Sequence, residues 1–330
     1  MTRIAYLSPL PPERTGIADY SATLLPELAK RVDVLAVAPG RPEPIPGVAI
    51  CRPSRRTMRL VSRCDAVVAQ VGNSRAHAWI LEAIREVPST IVLHEIVLHH
   101  LVAEMTIGRG DSAAYVDEMT RERGLVGRLL ALGVVDGVVP PLWDIAPDRY
   151  ALAGAALRHA SQVLVHSDFL ARAVRERRPE LRTTTVPFPC PQTDRPEPIK
   201  PQGRPLPVVG VFGFVTRQKR LPVVLRALAT ARRHLPELRL LCVGATPPDI
   251  DLRRLTSDAG LPSDAVEIVG FSDPDCFERL LASVDIGVNL RHPTLGETSA
   301  VVVRWLGLGV PVVVSTGGWY DELPDGAVLG

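Results

Sequence analysis

Residues 292–315 read HPTLGETSAVVVRWLGLGVPVVVS, a turn of small and polar residues, then an apolar helix, then a Val-rich strand. That order decides the fold class, because a helix that returns at once to a buried strand is the repeating unit of a parallel sheet. The turn carries chemistry as well. The first N–H groups of a helix have no helical partner, and the helix dipole favours negative charge beside them. The segment from Glu297 to Ala300 is therefore a candidate seat for an anion such as a phosphate.

The same alternation extends through the chain. Runs rich in Val, Ile and Leu fall near 2–8, 33–38, 66–71, 90–94, 162–166 and 183–187, and again near 207–213, 238–244, 266–269, 285–289 and 311–315. Longer amphipathic segments separate them, the pattern of sheets covered on both faces by helices. Between the two series lies PFPCPQTDRPEPIKPQGRPLP (187–207), too rich in proline and polar residues to bury itself. The expected architecture is α/β with two doubly wound, Rossmann-like parallel-sheet domains, over 1–190 and 207–330, joined by a Pro-rich linker over 191–206. Ligands of such sheets bind outside the carboxyl ends of the strands, so a cleft between the domains is expected to gather the loops that follow them. The second series closes with VPVVVSTGGWYDELPDGAVLG, one short segment past its fifth strand, so that domain reads as truncated, with a thinly covered sheet edge.

Composition narrows the function classes. A chain of 330 residues with 46% apolar content has room for two buried cores. Its net charge of +2 gives no global attraction for nucleic acid, so an anionic ligand must meet a local patch. The five cysteines (51, 64, 190, 242, 276) are scattered without a CxxC pair, which fits reduced thiols in the cytoplasm better than disulfides or a zinc site. The N-terminal MTRIAYLSPLPPERTG lacks a signal-peptide core, and no apolar run approaches the roughly 18 residues of a spanning helix. The expected location is cytoplasmic, with at most peripheral contact at the inner membrane face. Arg52, Arg55, Arg56, Arg59 and Arg63 recur with helical spacing and are expected on one helix face, either solvated or touching an anionic membrane. Asp273-Pro274-Asp275 fits a DxD pattern but leads into FERLLASVD and reads as a helix start, so no metal site is expected.

The loops after the strands hold the candidate residues. In SPLPPERTGIADYSATLLPELAKR (8–31), Gly16 opens a helix and lets the backbone approach a ligand closely, but GxGxxG is absent and hydride transfer loses weight. Asn73 and His77 follow a strand end at Gly72, where close approach is again allowed. His94 ends the apolar run TIVLHEI, where a parallel strand delivers a side chain to the ligand edge, and a histidine there can donate to a hydroxyl or move a proton. His166 and Ser167 end QVLVHS, and Ser167 reads equally well as a helix cap.

Taken together, SPLPPERTGIADYS, QVGNSRAHAWILEAI, VLHEIVLHHL, QVLVHSDFLARAV and the GETS…LGLGVPVVVS block resemble the group 1 glycosyltransferases of GT-B fold, nearly end to end and in the right order. The resemblance is closest to the subgroup whose acidic motif reads GETS, found in bacterial polysaccharide and glycolipid assembly. It implies a retaining transfer from a nucleotide diphosphate sugar, held by the C-terminal domain, to a glycan or lipid-linked acceptor entering from the N-terminal domain, with no cofactor and no DxD-bound metal.

The resemblance also implies residue roles. Lys219, in VVGVFGFVTRQKRLPVVLRAL, matches the family's phosphate-binding lysine; Phe214 replaces the usual preceding arginine, and Arg217 stands near enough to supply its charge. The strand running into Gly213 places these cations at the ligand edge, where they would neutralise a diphosphate leaving group. Backbone amides over Gly296, Glu297, Thr298, Ser299 and Ala300 would hold the diphosphate and sugar, with Glu297 accepting from sugar hydroxyls; simple helix capping is the alternative. His94 would stand beside the transferred sugar, and Gly72, Asn73, His77 and His166 on the acceptor side. Arg304 occupies the place of the family's second, ribose-gripping glutamate and counts among the donor-binding candidates, with ribose recognition passing to Arg304 itself or to another side chain. That departure leaves open a nucleotide-sugar-binding or scaffold protein without catalysis; an epimerase would need an acid and base carboxylate pair that does not stand out.

Overall fold

The computed structural model describes residues 2–190, 196–199 and 207–330; most of the expected linker therefore lies outside the described residues. Its contacts divide into two compact units, one of Met1–Pro189 with Leu295–Thr298, the other of Cys190–Thr294 with Ser299–Gly330.

The first unit is built on strands β1 (Arg3–Leu7), β2 (Asp33–Val37), β3 (Ala49–Cys51), β4 (Ala66–Val71), β5 (Ser89–Leu93), β6 (Ala160–Val165) and β7 (Thr183–Thr185), in the order β3-β2-β1-β4-β5-β6-β7. Every pairing is parallel, as in Ile4↔Ala66 at the centre and Val71↔Leu93 beside it. The helices are α1 (Gly16–Ala29), α2 (Arg55–Val61), α3 (Ala78–Ala83), α4 (His99–Met105), α5 (Ser112–Val135), α6 (Leu142–Ile145), α7 (Gly154–Leu157) and α8 (Asp168–Arg177). Central strand residues such as Ala5, Leu7, Ala69, Val71, Ile91 and Leu93 are fully enclosed, which is why these strands read as continuous apolar runs. Tyr6, Leu25, Val34 and Ala36 form a separate cluster with α1, while the remaining central side chains join the main core.

The second unit has β8 (Val208–Phe212), β9 (Arg239–Val243), β10 (Val266–Val269), β11 (Ile286–Asn289), β12 (Val312–Val314) and β13 (Val328–Leu329), in the order β10-β9-β8-β11-β12-β13, again all parallel. Helices α9 (Leu221–Ala231), α10 (Leu252–Asp258), α11 (Pro274–Ala282) and α12 (Ala300–Gly307) accompany it. Two glycines on its central strands make room for helices and loops. A Cβ on Gly287 would stand 2.5 Å from the Trp305 ring of α12, whose indole N–H donates to the Leu281 carbonyl at 3.2 Å.

Both units are thus doubly wound parallel sheets, and in each the chain reverses its direction of growth once, between β1 and β4 and between β8 and β11. Ligand sites of such sheets form at that reversal. Two strands escape the sequence reading, β3 and the two-residue β13, because runs of two or three residues carry no usable periodicity. The arginine stripe needs correction. The helix α2 spans only Arg55–Val61, capped by the Ser54 side chain, so Arg52 precedes it and Arg63 follows it, and the five do not share one helix face.

Substituting Gly287→Ala should drive a methyl into the Trp305 ring and lower stability by about 1–3 kcal/mol, read as a shift in the urea midpoint. Gly270→Ala is the control: its Cβ would meet nothing within 4 Å, and its effect should stay within about 0.5 kcal/mol. Equal effects from both would show that the ring does not need the bare Cα.

Candidate functional site: the carboxyl ends of the strands

In the first unit, four strand ends bring rings together. Gln70, on β4, is fully enclosed, and its Oε1 lies 2.7 Å from Nε2 of His94, the residue after β5. An amide oxygen only accepts, so His94 carries its proton on Nε2 and presents Nδ1 as an acceptor. The His94 N–H donates to the Val71 carbonyl at 3.0 Å, extending the β4–β5 ladder by one step and fixing where the imidazole starts. Tyr20 of α1 meets the His94 ring edge-on at 5.0 Å, and His166, after β6, lies 5.3 Å from each. Phe188 closes the group 5.1 Å from His166. The His166 Nδ1–H donates to the Val186 carbonyl at 3.0 Å, and its buried Nε2 has no protein partner.

Burial keeps these imidazoles neutral. Desolvation, reinforced by His166 and then His77, holds His94 well below the ordinary histidine range. His166 is lowered by burial, against a hydrogen bond to Val186 that raises it. His77, almost wholly enclosed, is lowered to about 4 by burial. The Tyr20 phenol moves the other way, raised to about 12 for the same reason.

The neighbouring candidates divide between packing and open space. A Cβ on Gly72 would stand 2.4 Å from Ile17 Cδ1 and 3.3 Å from the His77 ring, so this glycine is demanded by close approach within the fold. Asn73 is occupied structurally. Its Oδ1 accepts from the Leu101 N–H of α4 at 3.0 Å, and its own N–H donates to Glu95 Oε1 at 2.8 Å. Ser167 caps α8 by accepting from the Leu170 N–H at 3.1 Å. Gly16 is different: Thr15 caps α1, and a Cβ on Gly16 would meet nothing within 4 Å, so the protein itself does not require glycine there.

Leu295–Thr298 packs with the first unit. The Ile96 N–H donates to the Leu295 carbonyl at 2.9 Å. Gly296 sits at φ +88°, and a Cβ there would lie 3.2 Å from the Ile96 nitrogen, so both torsion and space call for glycine. Glu297 Oε2 accepts from the Leu295 N–H at 2.8 Å, which folds the carboxylate back over its own turn.

In the second unit, β8 runs into Gly213 (φ +83°) and β9 into Gly244 (φ +143°), and a Cβ on Gly244 would stand 2.3 Å from the Gly213 carbonyl oxygen. Two backbones therefore touch at the ligand edge of the sheet. Lys219, on the short 3-10 turn Arg217–Lys219, is only 4% exposed, and its ammonium donates to the Phe212 carbonyl. Burying that charge is tolerable only with such hydrogen bonding. A Cβ on Gly213 would come 3.1 Å from Nζ, so glycine there leaves the ammonium room. Arg217 is exposed and paired with Asp249 at 3.0 Å.

At the second reversal point, Ser299 is the N-cap of α12, with Oγ accepting from the Val302 N–H at 3.4 Å. Asn289, the last residue of β11, donates from Nδ2 to Ser299 Oγ at 3.1 Å and accepts on Oδ1 from the Tyr320 hydroxyl at 2.7 Å. This buried chain holds the α12 N-terminus, and Ala300 with it, against the end of β11. Arg304, by contrast, lies one turn further along α12 with Nε 2.9 Å from Glu278 of α11. Asp273 caps α11 by accepting from the Cys276 N–H at 2.9 Å.

The strand ends thus gather Gly72, His77, His94 and His166 in the first unit, and Gly213, Lys219, Ser299 and Ala300 in the second. Arg217, Arg304 and Asn73 are instead engaged in pairs or caps. Sequence reasoning missed Gln70, Tyr20, Asn289 and Tyr320. A signal existed for Gln70 and Asn289, each a lone amide inside an otherwise apolar strand run, a placement that demands a hydrogen-bond partner.

His77 and His99, whose Nε2 lies 2.9 Å from the Tyr115 hydroxyl, are both lowered to about 4 by burial. Between the unfolded value of about 6.5 and that folded value, the unfolded chain binds protons that the folded chain refuses, so stability falls as pH drops through this window. The loss from these two groups should reach on the order of 3 kcal/mol each by the lower end. Urea midpoints should decline from about pH 7 to about pH 5, where carboxylates still contribute little; a flat midpoint would show that the imidazoles protonate without penalty.

Residues 206–328 match the family described as "Glycosyl transferases group 1". Among solved structures, Anabaena Alr3699/HepE in complex with UDP and glucose is similar to 98% of this chain over 83% of its own, at 16% identity and TM-score 0.60. Sucrose-phosphate synthase (tll1590) from Thermosynechococcus elongatus is similar over 100% of this chain and 85% of its own, at 16% identity and TM-score 0.60. No curated protein matches the sequence. The second unit thus matches the group 1 glycosyl transferases in sequence, and the chain shares its GT-B fold with these solved structures.

Proposed function

We propose that this protein is a retaining glycosyltransferase that moves a hexose from a nucleotide diphosphate sugar to a hydroxyl of a glycan or lipid-linked acceptor, within the subgroup carrying a GETS motif. The observation that carries the reading is the enclosed ammonium of Lys219 beside the bare Cα of Gly213, at the reversal point of the second sheet. A lysine held in a partly desolvated site acts on a diphosphate more strongly than one in water. The α12 N-terminus, oriented by Ser299 and Asn289, offers backbone N–H groups from Thr298 to Ala300 to the same anion.

Each group then has a task in the transfer. Lys219 and the helix amides take up the charge that grows on the departing diphosphate, with Gly213 keeping a side chain out of its way; Gly296 is assigned to the donor through its backbone amide. Arg217 joins them by leaving its exposed pair with Asp249. Glu297 accepts from sugar hydroxyls. His94, neutral with Nδ1 bare, accepts a hydroxyl hydrogen bond; His77 and His166, at neighbouring strand ends of the same unit, are assigned to the acceptor and Gly16 to the donor. The acceptor hydroxyl attacks from the face the diphosphate leaves and passes its proton to that phosphate; no bound metal or cofactor is assigned a role. Arg304, paired with Glu278, has no assigned contact with ribose.

UDP-glucose is the first donor to test, since HepE binds it. At about 100 times its dissociation constant it should stabilise the protein by roughly 2.7 kcal/mol in a thermal-shift measurement. Release of UDP should follow when glycan or lipid-linked acceptors are added. Lys219→Met, which keeps the buried volume, should lower kcat/KM by about 10²–10³. Donor binding without nucleotide release towards any acceptor would instead assign a sugar-nucleotide-binding protein.

A further inference from the structure

Among the described residues, the longest run of exposed large apolar side chains lies between 125 and 138. The helix α5 breaks at Arg123 and Gly124, where Gly124 has φ 58° and ψ −141°, and its second half, 125–135, folds back so closely that a Cβ on Gly127 would lie 2.0 Å from the Met119 carbonyl oxygen. That half-helix reads LVGRLLALGVV, apolar almost all round. Gly127, Leu130, Ala131 and Val134 turn towards the main core. Leu125, Leu129 and Leu132, at the i, i+4, i+7 spacing of a single face, point outwards, and Leu125 and Leu129 are 70% and 60% exposed. Val126 and Val135 flank this face, and Val138, just beyond, is 80% exposed. A helix apolar on every side belongs in a protein core or against an apolar phase.

Charge indicates the occupant. Arg128 is the one charged residue of 125–135. Beyond the segment, Glu122 and Asp136 flank it, Arg121 pairs with Glu118 at 2.9 Å and Arg123 donates to the Arg149 carbonyl at 2.6 Å, so Arg128 carries the charge of this face. No carboxylate lies between Arg123 and Val135. Two copies of the chain pairing through this face would bring Arg128 into an apolar seam with no acidic residue of the half-helix to meet it. Lipid phosphates supply the missing charge, because an arginine can bury its stem among acyl chains while its guanidinium reaches the headgroups. Among the described residues no helix is long and apolar enough to cross a membrane, so insertion would stop at the headgroup boundary.

We propose that the outward face of 125–135, led by Leu125, Leu129 and Leu132 with Arg128, is a docking surface for an anionic lipid bilayer. The inference stands independently of the transferase reading, because it uses no residue of the strand-end site. It moves membrane contact from the arginines around α2 to an apolar face.

The test is co-sedimentation of the purified full chain with phosphatidylcholine vesicles, with and without phosphatidylglycerol. The protein should sediment with the anionic vesicles and release as salt rises. Leu129→Glu with Leu132→Glu should reduce binding at least roughly tenfold, while circular dichroism and melting temperature report that the variant is folded. Arg128→Glu, which leaves the apolar face intact, should weaken binding roughly fivefold or more, and only to anionic vesicles. Failure to sediment with either vesicle, or binding that neither variant alters, overturns the proposal. So does a stable dimer in light scattering that the leucine substitutions dissociate, since the face would then belong to a second copy.

Discussion

In each unit two parallel strands that are distant in sequence pair at the centre of the sheet, β1 with β4 and β8 with β11. Almost everything of chemical interest hangs from the ends of those strands or of their neighbours. Parallel strands present all their carboxyl ends at one edge, and reversing the direction of chain growth between the central pair leaves a gap there that no crossover helix covers. Gln70, His94 and His166 in the first unit, and Gly213, Asn289 and Ser299 in the second, owe their positions to that arrangement before any side chain is considered.

Given that frame, the strand ends are paved by two different means. In the second unit bare glycine backbone does the work, with Gly244 against the Gly213 carbonyl and the Lys219 ammonium beside it. In the first unit rings do it, and their mutual burial keeps the histidines neutral. The contrast is chemically consistent. A cation with oriented amides suits an anion, whereas neutral imidazoles with one lone pair each suit hydroxyl groups.

Among the described residues, the second half of α5 carries the most exposed apolar face of any helix. Its inner face is needed by the main core through Ala131 and Val134, and Gly127 fits the close turn back onto Met119. Neither requirement explains leucines at 125, 129 and 132 pointing outwards. Residues with no role in packing or in the strand-end site call for a partner outside the chain.

The sequence by itself determined the fold class and the location of most strands, because strands buried on both faces must be apolar throughout and leave unbroken Val, Ile and Leu runs between helical segments. It also marked the loops, since glycine and polar residues cluster after the strands. It did not show which side chains meet. His94 finds Gln70 across 24 residues, Asn73 caps a helix whose first turn lies 28 residues away, and Arg304 turns to Glu278 on another helix. Nor did it separate the arginines near α2 from the apolar face of α5 as surfaces, because helical spacing says nothing about where a helix stops. Local patterns are set by the periodicity of one element at a time, whereas contacts between elements depend on register, burial and direction that exist only once the sheet has assembled.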